Sequence, residues 1–145
     1  NVRMAAKDPS EDVHSFVGHI IGIELRSVRN KKDNFYTRGG VRNNLIGDVY
    51  VDIEEFLTDL DSQQLTPRQA LNQLWNEATI AHDSGDNITL SVLRRLMDEL
   101  ARESLFHGFI SKKEGHRYMG DYAKYYDTKE EARAKSFSRA GKYSK

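Results

Sequence analysis

Residues 66–105 read TPRQALNQLWNEATIAHDSGDNITLSVLRRLMDELARESL and predict two consecutive amphipathic helices. Thr66 followed by Pro67 is a typical helix start, because threonine caps the first turn and proline is tolerated at the first helical position. The polar stretch 82–87 separates two apolar segments, so we predict an antiparallel helical hairpin with Trp75 as a core anchor. Apolar residues recur in these segments at helical spacing: Ala70, Leu71, Leu74, Trp75, Ala78 and Ala81, then Leu90, Leu93, Leu96, Met97, Leu100 and Ala101.

Two more helices are predicted upstream of this hairpin. Residues 48–61 place apolar side chains at helical spacing opposite six acids, which indicates an amphipathic acidic helix. After an arm over residues 1–9, Ser10 followed by Glu11 and Asp12 predicts a helix start with an acidic first turn. Its apolar spacing continues to Ile21, although residues 19–25 also fit a strand.

The segment between these two helices, residues 26–44, is basic and rich in turn-forming residues. Asparagine and glycine favour turns, so we predict a loop or a short hairpin here. The residues concerned are Asn30, Asn34, Gly39, Gly40, Asn43 and Asn44.

The composition changes after Leu105 towards aromatic and β-prone residues. Residues 106–110 and 116–126 are predicted strands joined by a loop over 111–115, and Thr128 with Glu131 predicts a capped helix to about residue 140. The predicted fold is therefore mainly α within an α+β class. A helical domain of about four helices over 10–105 is followed by a strand-strand-helix unit over 106–140 and a basic tail over 141–145.

The chain carries no net charge, but its charges are segregated along the sequence. Residues 1–47 hold 8 Lys and Arg against 5 Asp and Glu, residues 48–106 hold 4 against 12, and residues 107–145 hold 10 against 5. Such segregation suits an internal clamp between oppositely charged segments, head-to-tail assembly, or contact of the basic ends with an anionic partner.

Composition narrows the class of protein further. A chain of 145 residues fits a single domain, and the absence of cysteine excludes disulfides and thiolate metal sites. The longest apolar stretch, near residues 16–25, is interrupted by glycine and polar residues and is too short for a membrane span. We therefore expect a cytoplasmic protein with no membrane contact.

The leading functional hypothesis is a non-enzymatic nucleic-acid-associated accessory protein. Cations neutralise phosphates and aromatic faces stack on bases, and the C-terminal end interleaves both residue types. An acidic protein surface, or simple packing of the tyrosines with solvated lysines, explains the same composition. The predicted phosphate-contacting residues are Lys31, Lys32, Arg38 and Arg42 in the first basic segment, and Lys112, Lys113, Arg117, Lys124, Arg133 and Arg139 in the second.

The alternative hypothesis is an assembly or adaptor subunit of a larger complex, such as a viral particle. Clustered acids on one helix repel each other unless cations lie nearby, either from the chain's own ends or from another copy in a homo-oligomer. The predicted partner-binding residues are Asp52, Glu54, Glu55 and Asp59.

No catalytic residue, cofactor or metal site is predicted. The five histidines, His14, His19, His82, His107 and His116, include no pair with the spacing of a helical zinc site. Adjacent acids such as Glu54 with Glu55 and Asp98 with Glu99 point in different directions on a helix and indicate a solvated face. A small enzyme with a dispersed site is the third class that the sequence leaves open.

Overall fold

The computed structural model describes residues 9–119 of this chain, and their side chains from residue 16 onward. This part of the chain is all-α. Two helical hairpins, α1 with α2 and α3 with α4, form the bundle, and α5 packs mainly on α4. No described helix has the length and hydropathy that crossing a membrane requires. The helices are α1 (Pro9–Arg38), α2 (Val41–Ser62), α3 (Pro67–Ser84), α4 (Asn87–Phe106) and α5 (Lys112–Met119).

The predicted hairpin over residues 66–105 is confirmed, including its boundary signals. The Thr66 hydroxyl accepts a hydrogen bond from the Gln69 backbone N–H at 3.3 Å, and the Thr66 N–H donates to Gln69 Oε1 at 3.0 Å. Gly85 ends α3 with φ 77°, a left-handed conformation that glycine adopts without strain. The Asp86 carboxylate then caps α4 by accepting from the Thr89 N–H at 3.0 Å.

The predicted loop over residues 26–44 is wrong, because α1 continues to Arg38 and α2 begins at Val41. Only Gly39 and Gly40, with φ 72° and 91°, turn the chain. The asparagines of this segment are weak helix formers, but Val28 is completely buried and Phe35 stacks on Tyr50 of α2. Tertiary packing of one helix face therefore overrides local propensity.

The predicted β-hairpin, and with it the α+β fold class, is also wrong: residues 106–119 contain no strand. The Ser111 hydroxyl accepts from the Glu114 N–H at 3.2 Å, and the Ser111 N–H donates to Glu114 Oε1 at 2.8 Å. This reciprocal pair is a capping box, and it starts α5 where the loop was predicted. The rest of the predicted unit, including the helix to residue 140 and the tail, lies outside the described residues.

The apolar faces of both hairpins meet in one core. Leu57 of α2, Leu74 of α3 and Leu100 of α4 are completely buried in it. Where α1 meets the connection between α4 and α5, the ring of Phe16 packs edge-on against those of His107 and Phe109, each at 5.2 Å between centroids. The core thus fixes α5 and its connection relative to the four long helices.

Candidate functional site

The first predicted basic segment is paired with the predicted acidic helix. Arg29 Nε donates a hydrogen bond to Glu54 Oε2 at 2.6 Å, and Lys32 Nζ donates to Glu54 Oε1 at 2.7 Å. The hydrogen bonds from Lys32 and Arg29 hold the pKa of Glu54 below its usual value. Lys32 and Glu54, predicted to contact different partners, therefore bind each other and join α1 to α2.

The other three predicted cations of this segment do not form one cluster. The guanidinium carbon of Arg38 lies 4.9 Å from the centroid of the Phe35 ring, which is a cation–π contact. Arg42 is exposed just beyond the turn that joins α1 to α2. Lys31 is half-buried and precedes Arg38 by about two helical turns. Only Arg38 and Arg42 share the tip of this hairpin.

The acidic face of α2 keeps three of its four predicted residues on the surface. Asp52 and Glu55 are exposed, and the exposed Asp59 accepts a hydrogen bond from Gln63 Nε2 at 3.2 Å. Next to this face, the Tyr36 hydroxyl donates to Asp48 at 2.5 Å, and this hydrogen bond raises the pKa of Tyr36 to about 12. The α2 surface is therefore acidic, but two of its carboxylates, those of Asp48 and Asp59, already accept hydrogen bonds from the same chain.

The second predicted basic segment divides at the end of α5. Lys112, Lys113 and Arg117 lie on α5, and Arg117 is exposed. The structure does not test the other three predicted cations, which lie outside the described residues: Lys124, Arg133 and Arg139.

Two polar contacts attach α5 to α3. The Arg68 guanidinium donates to both carboxylate oxygens of Glu114, and the bond from Nη2 to Oε1 measures 2.8 Å. Hydrogen bonds from Arg68 and from the Ser111 backbone lower the pKa of Glu114 to about 2. The Tyr118 hydroxyl donates to Asn72 Oδ1 at 2.7 Å. These bonds set the position of Arg117 relative to the second hairpin.

A groove of about 770 Å³ runs between α3, α4 and α5, and three arginines line it. Arg94 and Arg95 come from α4, and Arg117 comes from α5. Arg95 also donates to Glu24 Oε2 of α1 at 2.8 Å, whereas Arg94 and Arg117 form no ion pair with the side chains described, those of residues 16–119. The groove therefore holds cations that the described chain leaves unpaired.

Aromatic rings form one wall of this groove. The side chain of Trp75 was predicted to be a core anchor, but the residue is 45% exposed. Its ring meets the ring of Tyr118 edge-on, with 5.9 Å between centroids and 80° between planes. A large planar ring is thus presented beside cations, an arrangement that suits a flat anionic ligand.

A buried acid also lines the groove. Asp98 of α4 is 9% exposed, and its Oδ1 has no hydrogen-bond partner among the described residues. Its Oδ2 lies 3.5 Å from Arg102. Burial raises the pKa of Asp98 above its usual value, and Arg102 opposes part of that effect.

Of the charged residues in this groove, Arg117 was predicted from the sequence, whereas Arg94, Arg95 and Asp98 were missed. Arg94 and Arg95 lie within residues 48–106, where acids outnumber cations by 12 to 4. Asp98 was predicted to lie on a solvated face of a helix. One signal was present, because Leu90, Arg94 and Asp98 follow each other at four-residue intervals and so share one face of a helix. Charge counting along the sequence does not use that spacing.

Among the side chains of residues 16–119, no three or more potential metal ligands lie close enough together to hold an ion. No family model matches the chain, and neither the search of curated proteins nor that of solved structures finds a match. The functional argument therefore rests on the chemistry of the groove and of the surfaces around it.

Proposed function

We propose that this chain is a non-enzymatic, cytoplasmic nucleic-acid-associated protein that contacts its partner through the groove on α3, α4 and α5. The observation that carries the proposal is the placement of three arginines and one half-exposed tryptophan around a single groove. This differs from the sequence-based hypothesis in one respect: the groove replaces the first basic segment as the main contact surface, because Lys32 is paired internally.

The chemistry of the groove suits a polyanion that carries flat rings. Arginine donates bidentate hydrogen bonds to phosphate, and each phosphate neutralised releases counterions. Stacking of a base on an aromatic side chain contributes about 1–3 kcal/mol and tolerates any base. Trp75 supplies the ring, and Arg94 and Arg117 supply charges that are free of ion pairs within the described residues.

The charge of the following segment supports the same proposal. Met119 lines the groove and is the last described residue. The sequence after it, residues 120–145, holds seven Lys and Arg against four Asp and Glu, including the predicted Lys124, Arg133 and Arg139. A basic segment attached at the groove adds long-range attraction for a polyanion.

The test is fluorescence anisotropy of labelled single-stranded and double-stranded oligonucleotides at about 50 and 200 mM salt, the range over which phosphate contacts lose most affinity. The test variant is Arg94→Gln with Arg117→Gln. The matched control is Arg38→Gln with Arg42→Gln, which removes the same charge from the tip of the first hairpin. We expect salt-sensitive binding by the wild type and by the control.

The groove variant should bind weakly, with a salt dependence reduced by about one unit of slope for each arginine lost. Absence of binding by the wild type at either salt concentration would refute the proposal. Loss of binding in the control alone would move the interface to the hairpin tip.

A second candidate function, an assembly or adaptor subunit, is supported by the surface of α2. Asp52 and Glu55 are exposed there, and Val41 and Leu45 are exposed at 78% and 60%. Light scattering after gel filtration at low salt tests it: the assembly hypothesis expects oligomers that Asp52→Lys with Glu55→Lys dissociates. Glu54 is unsuitable for this test, because its pairing with Arg29 and Lys32 joins two helices.

A further inference from the structure

Oδ1 of Asp98 has no hydrogen-bond partner among the described residues and is itself covered, while the side chain as a whole is 12% exposed and lines the groove. A buried carboxylate without a hydrogen-bond partner destabilises a fold, whereas an apolar side chain of similar size does not. Arg102 compensates only the other oxygen, at 3.5 Å. An unpaired buried oxygen gives this acid no evident role in stability, and the exposed part of its side chain in the wall of the groove points to a ligand.

The surroundings of Asp98 define the chemistry of that ligand. Arg94 precedes Asp98 by one helical turn on the same face of α4, and Trp75 and Tyr118 belong to α3 and α5 across the groove. The groove thus combines an acceptor, a cation and an aromatic face. A nucleotide offers the complementary groups, namely N–H donors on the edge of the base, a phosphate and a flat ring.

We propose that this groove takes up one unstacked base of a single-stranded nucleic acid, which lies against Trp75 and donates an amino N–H to Asp98 while Arg94 and Arg117 contact the neighbouring phosphates. This inference rests on the proposed function and adds the ligand class and a preference among bases. The volume of about 770 Å³ accommodates a nucleotide, since ligand pockets commonly measure about 300–1,000 Å³.

The carboxylate of Asp98 is a hydrogen-bond acceptor, and this determines which base the groove should prefer. In a duplex the pairing edge of each base is occupied, so only an unpaired base presents its amino group to a side chain in this way. A carboxylate accepts a hydrogen bond from the N4 amino group of cytosine. Uracil carries a carbonyl oxygen at the same position, and two acceptors facing each other repel. The groove should therefore favour cytosine over uracil.

The experiment compares labelled deoxycytidine and deoxyuridine homopolymers of about 12 nucleotides, a length within the usual range for one binding domain. These two strands differ in each base only at position 4 and its neighbouring ring proton. At neutral pH the wild type should bind the cytosine strand about 5- to 150-fold more tightly, the range for one well-formed base contact. Asp98→Leu and the isosteric Asp98→Asn should reduce this ratio to about one.

Thermal melting of each variant accompanies the binding measurement. Asp98→Leu should melt at or above the wild-type temperature, because it removes an unpaired buried acid. If Asp98→Leu fails to fold, Asp98→Asn provides the comparison. Arg94→Gln with Arg117→Gln should weaken both strands by the same factor and keep the cytosine preference.

The outcomes separate this inference from the function on which it rests. Equal binding of the two strands by the wild type would overturn the role of Asp98 and leave the nucleic-acid proposal intact. A cytosine preference that persists in both Asp98 variants would also overturn that role. Binding of neither strand, together with salt-sensitive binding of an acidic peptide such as polyglutamate, would overturn both and make the groove a protein-binding site.

Discussion

The two halves of this bundle use their charges in opposite ways. In the α1–α2 hairpin, the acid at position 54 pairs with Arg29 and Lys32, so cations and acids neutralise each other across the two helices. In the unit formed by α3, α4 and α5, Arg94 and Arg117 line a groove without forming an ion pair within the described residues. The hairpin that contains the first basic segment, residues 26–44, thus pairs two cations of that segment with an acid of its own second helix.

This contrast shows that net charge along a sequence does not locate an electrostatic surface. Residues 48–106 hold 12 acids and 4 cations, yet two of those cations line the groove. What decides availability is the helix face on which a charge lies and the faces that pack opposite it.

Reversing the charge of Glu54 should damage the first hairpin severely. Glu54→Lys removes two charge-assisted hydrogen bonds and places a third cation beside Arg29 and Lys32. Because all three side chains are partly exposed, we expect a loss of about 2 kcal/mol in the free energy of unfolding, measured by urea denaturation. The control, Glu55→Lys, changes the exposed neighbour and should stay within about 0.5 kcal/mol. Equal losses of unfolding free energy for the two substitutions would show that the pairing of Glu54 with Arg29 and Lys32 does not stabilise the hairpin.

Removing the cap of α5 should loosen the wall of the groove. Ser111→Ala deletes the hydroxyl that accepts from the Glu114 N–H. The expected cost is about 1 kcal/mol in the free energy of unfolding. Nucleic-acid binding should weaken as well, because α5 positions Arg117. Ser111→Asn, which keeps a capping oxygen, should restore both properties; unchanged stability of Ser111→Ala would contradict the capping role.

Two adjacent arginines of α4 should differ in what they stabilise. Arg95→Ala leaves Glu24 of α1, whose side chain is 12% exposed, without its partner, so we expect a loss of about 1 kcal/mol in stability. Arg94→Ala should change stability by less than about 0.5 kcal/mol and reduce nucleic-acid binding. Thermal melting and anisotropy on the same two proteins give both readouts. Equal changes in stability and in binding affinity for the two variants would contradict the assignment of Arg95 to a bridge with α1 and of Arg94 to ligand binding.

Acid pH should affect the two halves in opposite directions. The pKa of Glu54 is lowered in the folded state, so its contribution is present above the usual value of 4.5 and is lost as pH falls through the folded pKa. The pKa of Asp98 is raised from its usual 3.8, so the folded state favours its neutral form and the cost of ionising it disappears at low pH.

These two directions predict how the variants melt as the pH is lowered. Glu54→Gln should lower the melting temperature at pH 7, and the deficit should shrink towards acid pH. Asp98→Asn should raise the melting temperature at pH 7, and this gain should shrink between the raised folded pKa and 3.8. Differences from wild type that do not vary with pH would contradict both pKa shifts.

Much of the fold was predictable where local signals and packing agree. Thr66 and Pro67 start α3 as expected, and Gly85 and Asp86, inside the polar stretch predicted as a turn, separate α3 from α4. Residues 26–38 were not predictable in this way, because the helix there depends on Val28 and Phe35 packing against another helix. The start of α5 was readable as Ser111 and Glu114 at capping-box spacing, but the aromatic composition around it favoured strands.

The candidate site was less predictable than the fold. Arg117 was expected to contact phosphate, but Arg94, Arg95 and Asp98 were not singled out. Trp75 was expected in the core because Leu71, Leu74 and Ala78 surround it in sequence. Those three residues are buried, and Trp75 lies at the edge of their face, where α5 leaves it half exposed. Such an edge position depends on where α5 packs, which local sequence does not specify.

The proposed contact surface for the nucleic acid is the groove and not the first basic segment. Trp75 is the only tryptophan in the chain, so its fluorescence reports on the groove alone. Titration with a single-stranded oligonucleotide should quench this fluorescence to saturation, with the same dissociation constant as anisotropy gives, and the quenching should require Arg94 and Arg117. Binding detected by anisotropy without any change in Trp75 fluorescence would contradict the claim and place the interface elsewhere.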